Sequence, residues 1–253
     1  MSDIRSIMKQ KRICVVVPSY HNEGTIADIV RRISEYTDQI VVVLDGDPEK
    51  SEEALRSVDQ HFELVSCLRN RGKGAALKEG FKRAILKGYE YAITIDSDNQ
   101  HYPEDIPLFV EALYSHPRSF VIGARDLEQE GIPYGSRFAA NLSNFWFHFQ
   151  TGLRLPDTQC GYRLYPLSML NSGWSIHSRY EAELEFLLYA AWTGVNLTSV
   201  PVRIYYPKGN ERISSFRPVR DFLRMSLLNV MLSLGALLYY LPARAIRRWR
   251  HRN

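Results

Sequence analysis

Asp96 and Asp98 stand one residue apart at the end of an apolar run, in "AITIDSDNQHYPED" (92–105). Two like charges this close repel, and burial would raise their pKa values unless a cation sat between them. In extended geometry alternate residues share a side. Asp96, Asp98 and Gln100 therefore offer oxygens in one direction, with Ser97 between the acids. Oxygen ligation by few protein groups suits Mg²⁺ or Mn²⁺, which keep waters and complete an octahedron with phosphate oxygens. Cys14, Cys67 and Cys160 are scattered, odd in number and without metal-ligand spacing, which fits a reduced compartment and gives no case for zinc. An isolated D-x-D reads as a solvated acidic loop at least as readily. Its place at the mouth of a buried strand is what favours a metal-bridged diphosphate.

The elements that must hold these residues are legible in the first half of the chain. "ICVVV" (13–17), "IVVVL" (40–44), "YAITI" (91–95) and "FVIGA" (120–124) are continuous apolar runs rich in β-branched residues, the pattern of strands covered on both faces. Residues 63–68 read as a further short strand. Between them lie helical patterns: "TIADIVRRISEY" with Ile26, Ile29, Val30 and Ile33 on one face and Thr25 as its cap, residues 51–60, "GKGAALKEGFKRAILKG" with Leu77, Phe81, Ala84 and Ile85 aligned and Gly88 as its stop, and "DIPLFVEALYSH". Alternating strands and helices predict a mostly parallel sheet between helical layers. Ligands of such sheets bind beyond the C-terminal strand ends, so "PSYHNE", "DGD", "DSDNQ" and "ARD" become neighbours. The "RGKG" turn (71–74) lacks P-loop spacing and reads as a turn and helix start. His21 and His101 read as packing or hydrogen-bonding groups.

The blocks "VVVPSYHNEGTIADIV", "NRGKGAALKEGFKRAILKGYEYAITIDSDNQHYPEDIP", "GAR" and "DTQCGYRLY" resemble, in order, those of the family 2 glycosyltransferases, nearest to the dolichol- or polyprenyl-phosphate mannosyl- and glucosyltransferases. The resemblance implies a GT-A fold, a Rossmann-like nucleotide-diphospho-sugar transferase, and transfer of a sugar with inversion at the anomeric carbon. It implies that Pro18, Tyr20 and Asn22 or Glu23 line the nucleotide, that Asp45 holds the base or ribose, and that Asp96, Ser97, Asp98 and Gln100 form the metal–diphosphate site. Arg125, Arg137 and Asp157 become the candidate catalytic residues, Asp157 either as general base or as the carboxylate fixing Arg163; Glu181 and Glu183 stand behind it. Arg212 becomes a diphosphate contact. Leu44 replaces the first acid of the family's Asp-Asp-Gly-Ser, and "GNERISSFRPVRDF" replaces its Ser-Lys-Leu near the end.

Charge is unevenly distributed: Arg217 to the end carries a net +7, residues 1–216 a net −3. The run "MSLLNVMLSLGALLYYLPA" (225–243) is flanked by arginines, with aromatic residues at its far end, a pattern of interfacial anchoring. Nucleic acid is disfavoured because the basic residues border an apolar run instead of interleaving with exposed aromatics.

The expectation is therefore an α/β GT-A domain over residues 1–216 and a basic, apolar, membrane-associated C-terminal segment over 217–253, held at the cytoplasmic face and compatible with a homo-oligomer. The expected reaction is metal-dependent transfer of a hexose from a UDP- or GDP-sugar to an undecaprenyl or dolichyl phosphate. The alternatives are transfer to a hydroxyl of another lipid or a cell-surface glycan, and a non-catalytic membrane-bound scaffold that binds nucleotide-sugar.

Overall fold

The computed structural model describes residues 2–46, 48–129, 131–170, 178–179, 181–206 and 218–242. The strands are β1 (Ile13–Ser19), β2 (Ile40–Asp45), β3 (Glu63–Cys67), β4 (Tyr91–Thr94), β5 (Phe120–Arg125), β6 (Arg163–Pro166) and β7 (Leu197–Val202). The α-helices are α1 (Ser2–Gln10), α2 (Ile26–Ser34), α3 (Glu49–Leu55), α4 (Lys73–Leu86), α5 (Ile106–Ser115), α6 (Tyr134–Thr151), α7 (Glu181–Thr193) and α8 (Pro218–Gly235).

All seven strands form one sheet in the order β3-β2-β1-β4-β6-β5-β7. β1 pairs in parallel with β2 and β4, β2 with β3, and β5 with β7; β6 runs antiparallel to both β4 and β5. The expected mostly parallel sheet is present, with one reversed strand inserted beside the strand that carries the acids.

Continuous apolar strands arise because both sheet faces are covered. Val15, Val42 and Ile93 point into one core with Ile29 and Ile33 of α2 and Phe109 of α5. Val16, Val43 and Ala92 point into the other with Leu77 and Phe81 of α4 and Leu187 of α7. Each such Val or Ile, fully buried, contributes about 1.5–3 kcal/mol. α4 lies close to the sheet because Gly80 has no side chain: a Cβ there would collide with Cγ1 of Val16.

Three local expectations shift. α3 covers Glu49–Leu55 instead of 51–60. Ile85 is more than a third exposed although its helix partners are buried. Thr25 makes no side-chain cap for α2; its hydroxyl donates instead to the carbonyl of Ser97, 2.5 Å away.

The expected membrane-associated C-terminal helix, and with it attachment at the cytoplasmic face of a membrane, is overturned. Among the described residues no helix is long and apolar enough to cross a membrane. The apolar run is broken into α8 and one π-helical turn, Ala236–Tyr240. It packs on α6 and α7, burying Leu228 and Ala236 together with the polar Asn229 and Ser233. The Gln150 side-chain amide on α6 donates to Asn229 Oδ1 at 3.2 Å and to Ser233 Oγ at 3.1 Å. The polar positions of the run are thus an inner seam joining helix to body. The basic residues beyond 242 lie outside the described residues.

Candidate active site

The C-terminal ends of β1, β2 and β4 open on one side of the sheet, and their loops are tied to one another. Ser97 is fully buried. Its hydroxyl donates to the Pro18 carbonyl at 3.1 Å and accepts the Asn22 amide at 2.8 Å. With Thr25 on its carbonyl, the central residue of D-S-D is held by the end of β1 and by two residues of the loop after it. Farther along, Asn99 takes a left-handed φ of 60°, uncommon for a residue with a side chain. Asn99 Oδ1 accepts from Arg32, and its amide donates to Asp28, so α2 pins this bend.

This clamping leaves the two acids in different states. Asp98 is raised from 3.8 to about 6, first by burial and then by the charge of Asp96, against the Gln100 N–H it accepts at 3.0 Å. For Asp96 burial also acts upward, but the Lys73 ammonium, 2.9 Å from Oδ2, outweighs it and holds the carboxyl below its ordinary value. Lys73 also lies 3.2 Å from Glu183 Oε2, and these two carboxylates together keep it charged despite burial.

A divalent cation fits this donor set. The carboxylates are hard oxygen ligands, and a cation beside Asp98 would relieve the repulsion that now favours its protonated form. Among the described residues no group of three His, Cys, Asp or Glu could hold a metal. The pair would therefore hold an ion completed by water and by phosphate oxygens.

Asp45, the last residue of β2, is engaged by the chain itself. It is buried, and its oxygens accept the Arg71 N–H at 2.9 Å and the Gly72 N–H at 2.7 Å. It thereby anchors the turn that starts α4 and delivers Lys73. Gly46 and Gly72 sit at φ 93° and 97°, and a Cβ on Gly46 would lie 2.6 Å from the Asn70 nitrogen. Tyr20 is half-buried, its ring centroid 4.0 Å from that of His21; Glu23 is half-buried in the same loop.

Asp157 is fully buried and faces Arg125, not Arg163. Arg125 Nε and Nη2 donate to its two oxygens at 2.5 and 3.0 Å. The N–H groups of Gln159 and Cys160 add bonds at 3.0 and 3.2 Å. Arg125 outweighs the effect of burial and lowers the Asp157 carboxyl. Arg125 Nη1 donates to the Tyr206 hydroxyl at 3.3 Å. Arg163 is satisfied by carbonyls instead: Cys160 at 2.6 Å, Glu183 at 2.7 Å and Thr158 at 2.9 Å.

Arg137 lies on α6 with Nη1 3.6 Å from Glu128, and no described contact brings it to the acid pair. Arg212 lies outside the described residues. His101 is a packing group: burial lowers it to about 4, and its ring lies 5.3 Å from that of Tyr162. Sequence reasoning missed Lys73 as a site residue and gave Glu183 a different place. The only local signal was the lysine in "RGKG", whose partners come from the turn after β4 and from α7.

Comparison with known proteins identifies the family and the fold. The family model described as "Glycosyl transferase family 2" matches residues 14–174. An undecaprenyl-phosphate 4-deoxy-4-formamido-L-arabinose transferase of Edwardsiella ictaluri is 30% identical, over 71% of this chain and 55% of that protein. A UDP-N-acetylglucosamine–dolichyl-phosphate N-acetylglucosaminyltransferase of Methanococcus voltae is 24% identical, over 79% of this chain and 88% of that protein. Among solved structures, glucosyl-3-phosphoglycerate synthase from Mycobacterium tuberculosis, in complex with Mn²⁺, UDP and phosphoglyceric acid, superimposes with a TM-score of 0.66. It is 17% identical, and the match covers 93% of this chain and 81% of that one. That likeness shows a shared GT-A fold.

Proposed function

Because this chain belongs to glycosyl transferase family 2, a family of catalytic glycosyltransferases, we propose that it moves a hexose from a nucleoside-diphosphate sugar to a hydroxyl group of its acceptor. The observation that carries the donor half is the half-buried acid pair Asp96 and Asp98, clamped at the mouth of β4 through the buried Ser97 between them. The acceptor half is supported by the similar fold solved with phosphoglyceric acid.

In this reading Asp96 and Asp98, with Gln100, would hold Mg²⁺ or Mn²⁺. Such an ion would supply charge stabilisation to a departing diphosphate. Pro18, Tyr20, Asn22 and Glu23 form the wall on which the nucleotide rests, and Asp45 acts by fixing the turn of residues 70–72. The acceptor oxygen bonds to the anomeric carbon as the bond to the diphosphate breaks, the electron pair leaving with the diphosphate and the hydroxyl proton passing to solvent water. Inversion follows from attack opposite the leaving group. Arg125, locked by Asp157, offers positive charge already oriented, which costs no reorganisation during reaction. Asp157 serves as that lock and not as the base, because both its oxygens are engaged. Arg137 and Arg212 remain proposed anion contacts.

A second reading, transfer to a polyprenyl phosphate, is favoured by the names of the two curated relatives. A phosphate monoester is already anionic and needs no base, whereas a hydroxyl must lose its proton. Purified protein with Mn²⁺ and a panel of UDP- and GDP-sugars decides between them. Nucleoside diphosphate release that requires phosphoglyceric acid or another hydroxyl acceptor supports the first reading. Release that requires undecaprenyl phosphate supports the second. Nucleotide-sugar binding without release on any acceptor would sink both.

A further inference from the structure

Lys73 is the first residue of α4, the helix end where the backbone dipole disfavours a cation. Helix formation therefore does not account for an ammonium there. Its side chain is only 17% exposed and lies between two carboxylates from different elements, Asp96 after β4 and Glu183 on α7. Room has been left for it. A Cβ on Gly161 would lie 2.7 Å from Nζ, 3.1 Å from Glu183 Oε1 and 3.3 Å from Asp96 Oδ2. Glu183 Oε1 is buried without a hydrogen-bond partner, so this pocket holds acceptor capacity beyond what the ammonium uses. The glycine of "CGYR" is thus the floor of a cation pocket that adjoins the acid pair.

Resting on the donor site proposed above, we infer that Lys73 is a placeholder cation: its ammonium occupies the Asp96 side of the metal site in the empty enzyme and passes to the diphosphate when nucleotide and metal arrive together. A divalent ion and an ammonium on one carboxylate oxygen repel each other, so metal alone must displace Lys73. A nucleoside diphosphate brings anionic oxygens that receive the ammonium, and the four-carbon stem gives it reach. Asp96 is then released to the metal. Metal and nucleotide consequently raise each other's affinity by one shared factor. Glu183 is a positioning residue in this exchange, keeping the lysine beside the site. No covalent bond changes.

The test measures Mn²⁺ binding by electron paramagnetic resonance, with and without UDP or GDP, in wild type, Lys73→Met and Lys73→Met/Glu183→Gln. The double variant removes one positive and one negative charge, so a purely electrostatic or structural role predicts no change in it. It also spares the fold an uncompensated buried carboxylate, and thermal melts verify folding of both variants. The expected result is Mn²⁺ binding without nucleotide that tightens about tenfold in both variants, with the nucleotide-induced gain reduced by the same factor. Unchanged or weaker Mn²⁺ affinity in the double variant overturns the placeholder role. If wild type binds no more Mn²⁺ than Asp96→Asn even with either nucleotide, the metal site itself is wrong, and the exchange with it.

Discussion

Asp98 is kept in a state that weakens the empty protein. Its carboxyl holds a proton up to about pH 6 when folded, against an ordinary 3.8. Between those values the folded chain binds more protons than the unfolded one, so stability falls as pH rises through the window and stays lower above it. Metal-free Asp98→Asn should therefore be more stable than wild type at pH 8 by about 1–3 kcal/mol, the gap closing near pH 4. Urea unfolding in chelator at the two pH values measures this; a less stable variant at pH 8 would contradict the burial and repulsion argument. The same substitution should lower nucleoside diphosphate release by about a hundredfold or more. Asp157→Asn acts in the opposite sense on stability. It breaks a buried ion pair and should cost about 3 kcal/mol at neutral pH, read as a lower urea midpoint. The acids were legible in sequence because a D-x-D after an apolar run is a local pattern. The partners of Asp157 and Lys73 were not, since Arg125 and Glu183 reach them only through the fold.

Among the elements, α4 is the one on which the site depends most closely. Its first residue supplies the ammonium, and its middle rests on β1 through Gly80. Gly80→Ala would gain helix propensity but overpack against Val16, for a net loss of about 1–2 kcal/mol. Gly24→Ala, with nothing within 4 Å of the new methyl, should change stability by less than about 0.5 kcal/mol. Thermal unfolding of the pair checks this contrast. Strands β1, β2, β4 and β5 could be read because both faces of each are largely buried, which writes unbroken apolar runs. The later elements hide themselves. β6 begins with a buried arginine whose charge is met by three carbonyls, and α7 buries Glu181, Glu183 and Glu185, so neither shows the period that marks its kind.

At the scale of the whole molecule, the C-terminal run is a clasp on the body, and its polar residues are the means. Gln150→Ala removes the donor shared by Asn229 and Ser233 and should lower stability by about 1–3 kcal/mol, measured by chemical denaturation. A wild-type midpoint would show that the seam carries no energy. In the sequence, Ser226, Asn229 and Ser233 merely interrupt an otherwise apolar run. Only the facing helix reveals Asn229 and Ser233 as the contact surface.

The reversed strand has a consequence for how the enzyme is made. β4 lies between β1 and β6, and β6 leaves the ribosome about seventy residues later. At about 5–20 residues per second, β4 has a naked edge for several seconds of synthesis. During that interval its unpaired backbone can pair with a neighbouring nascent chain. Slowed translation between the two strands should therefore reduce the yield of correctly assembled enzyme, although the finished protein would be chemically identical.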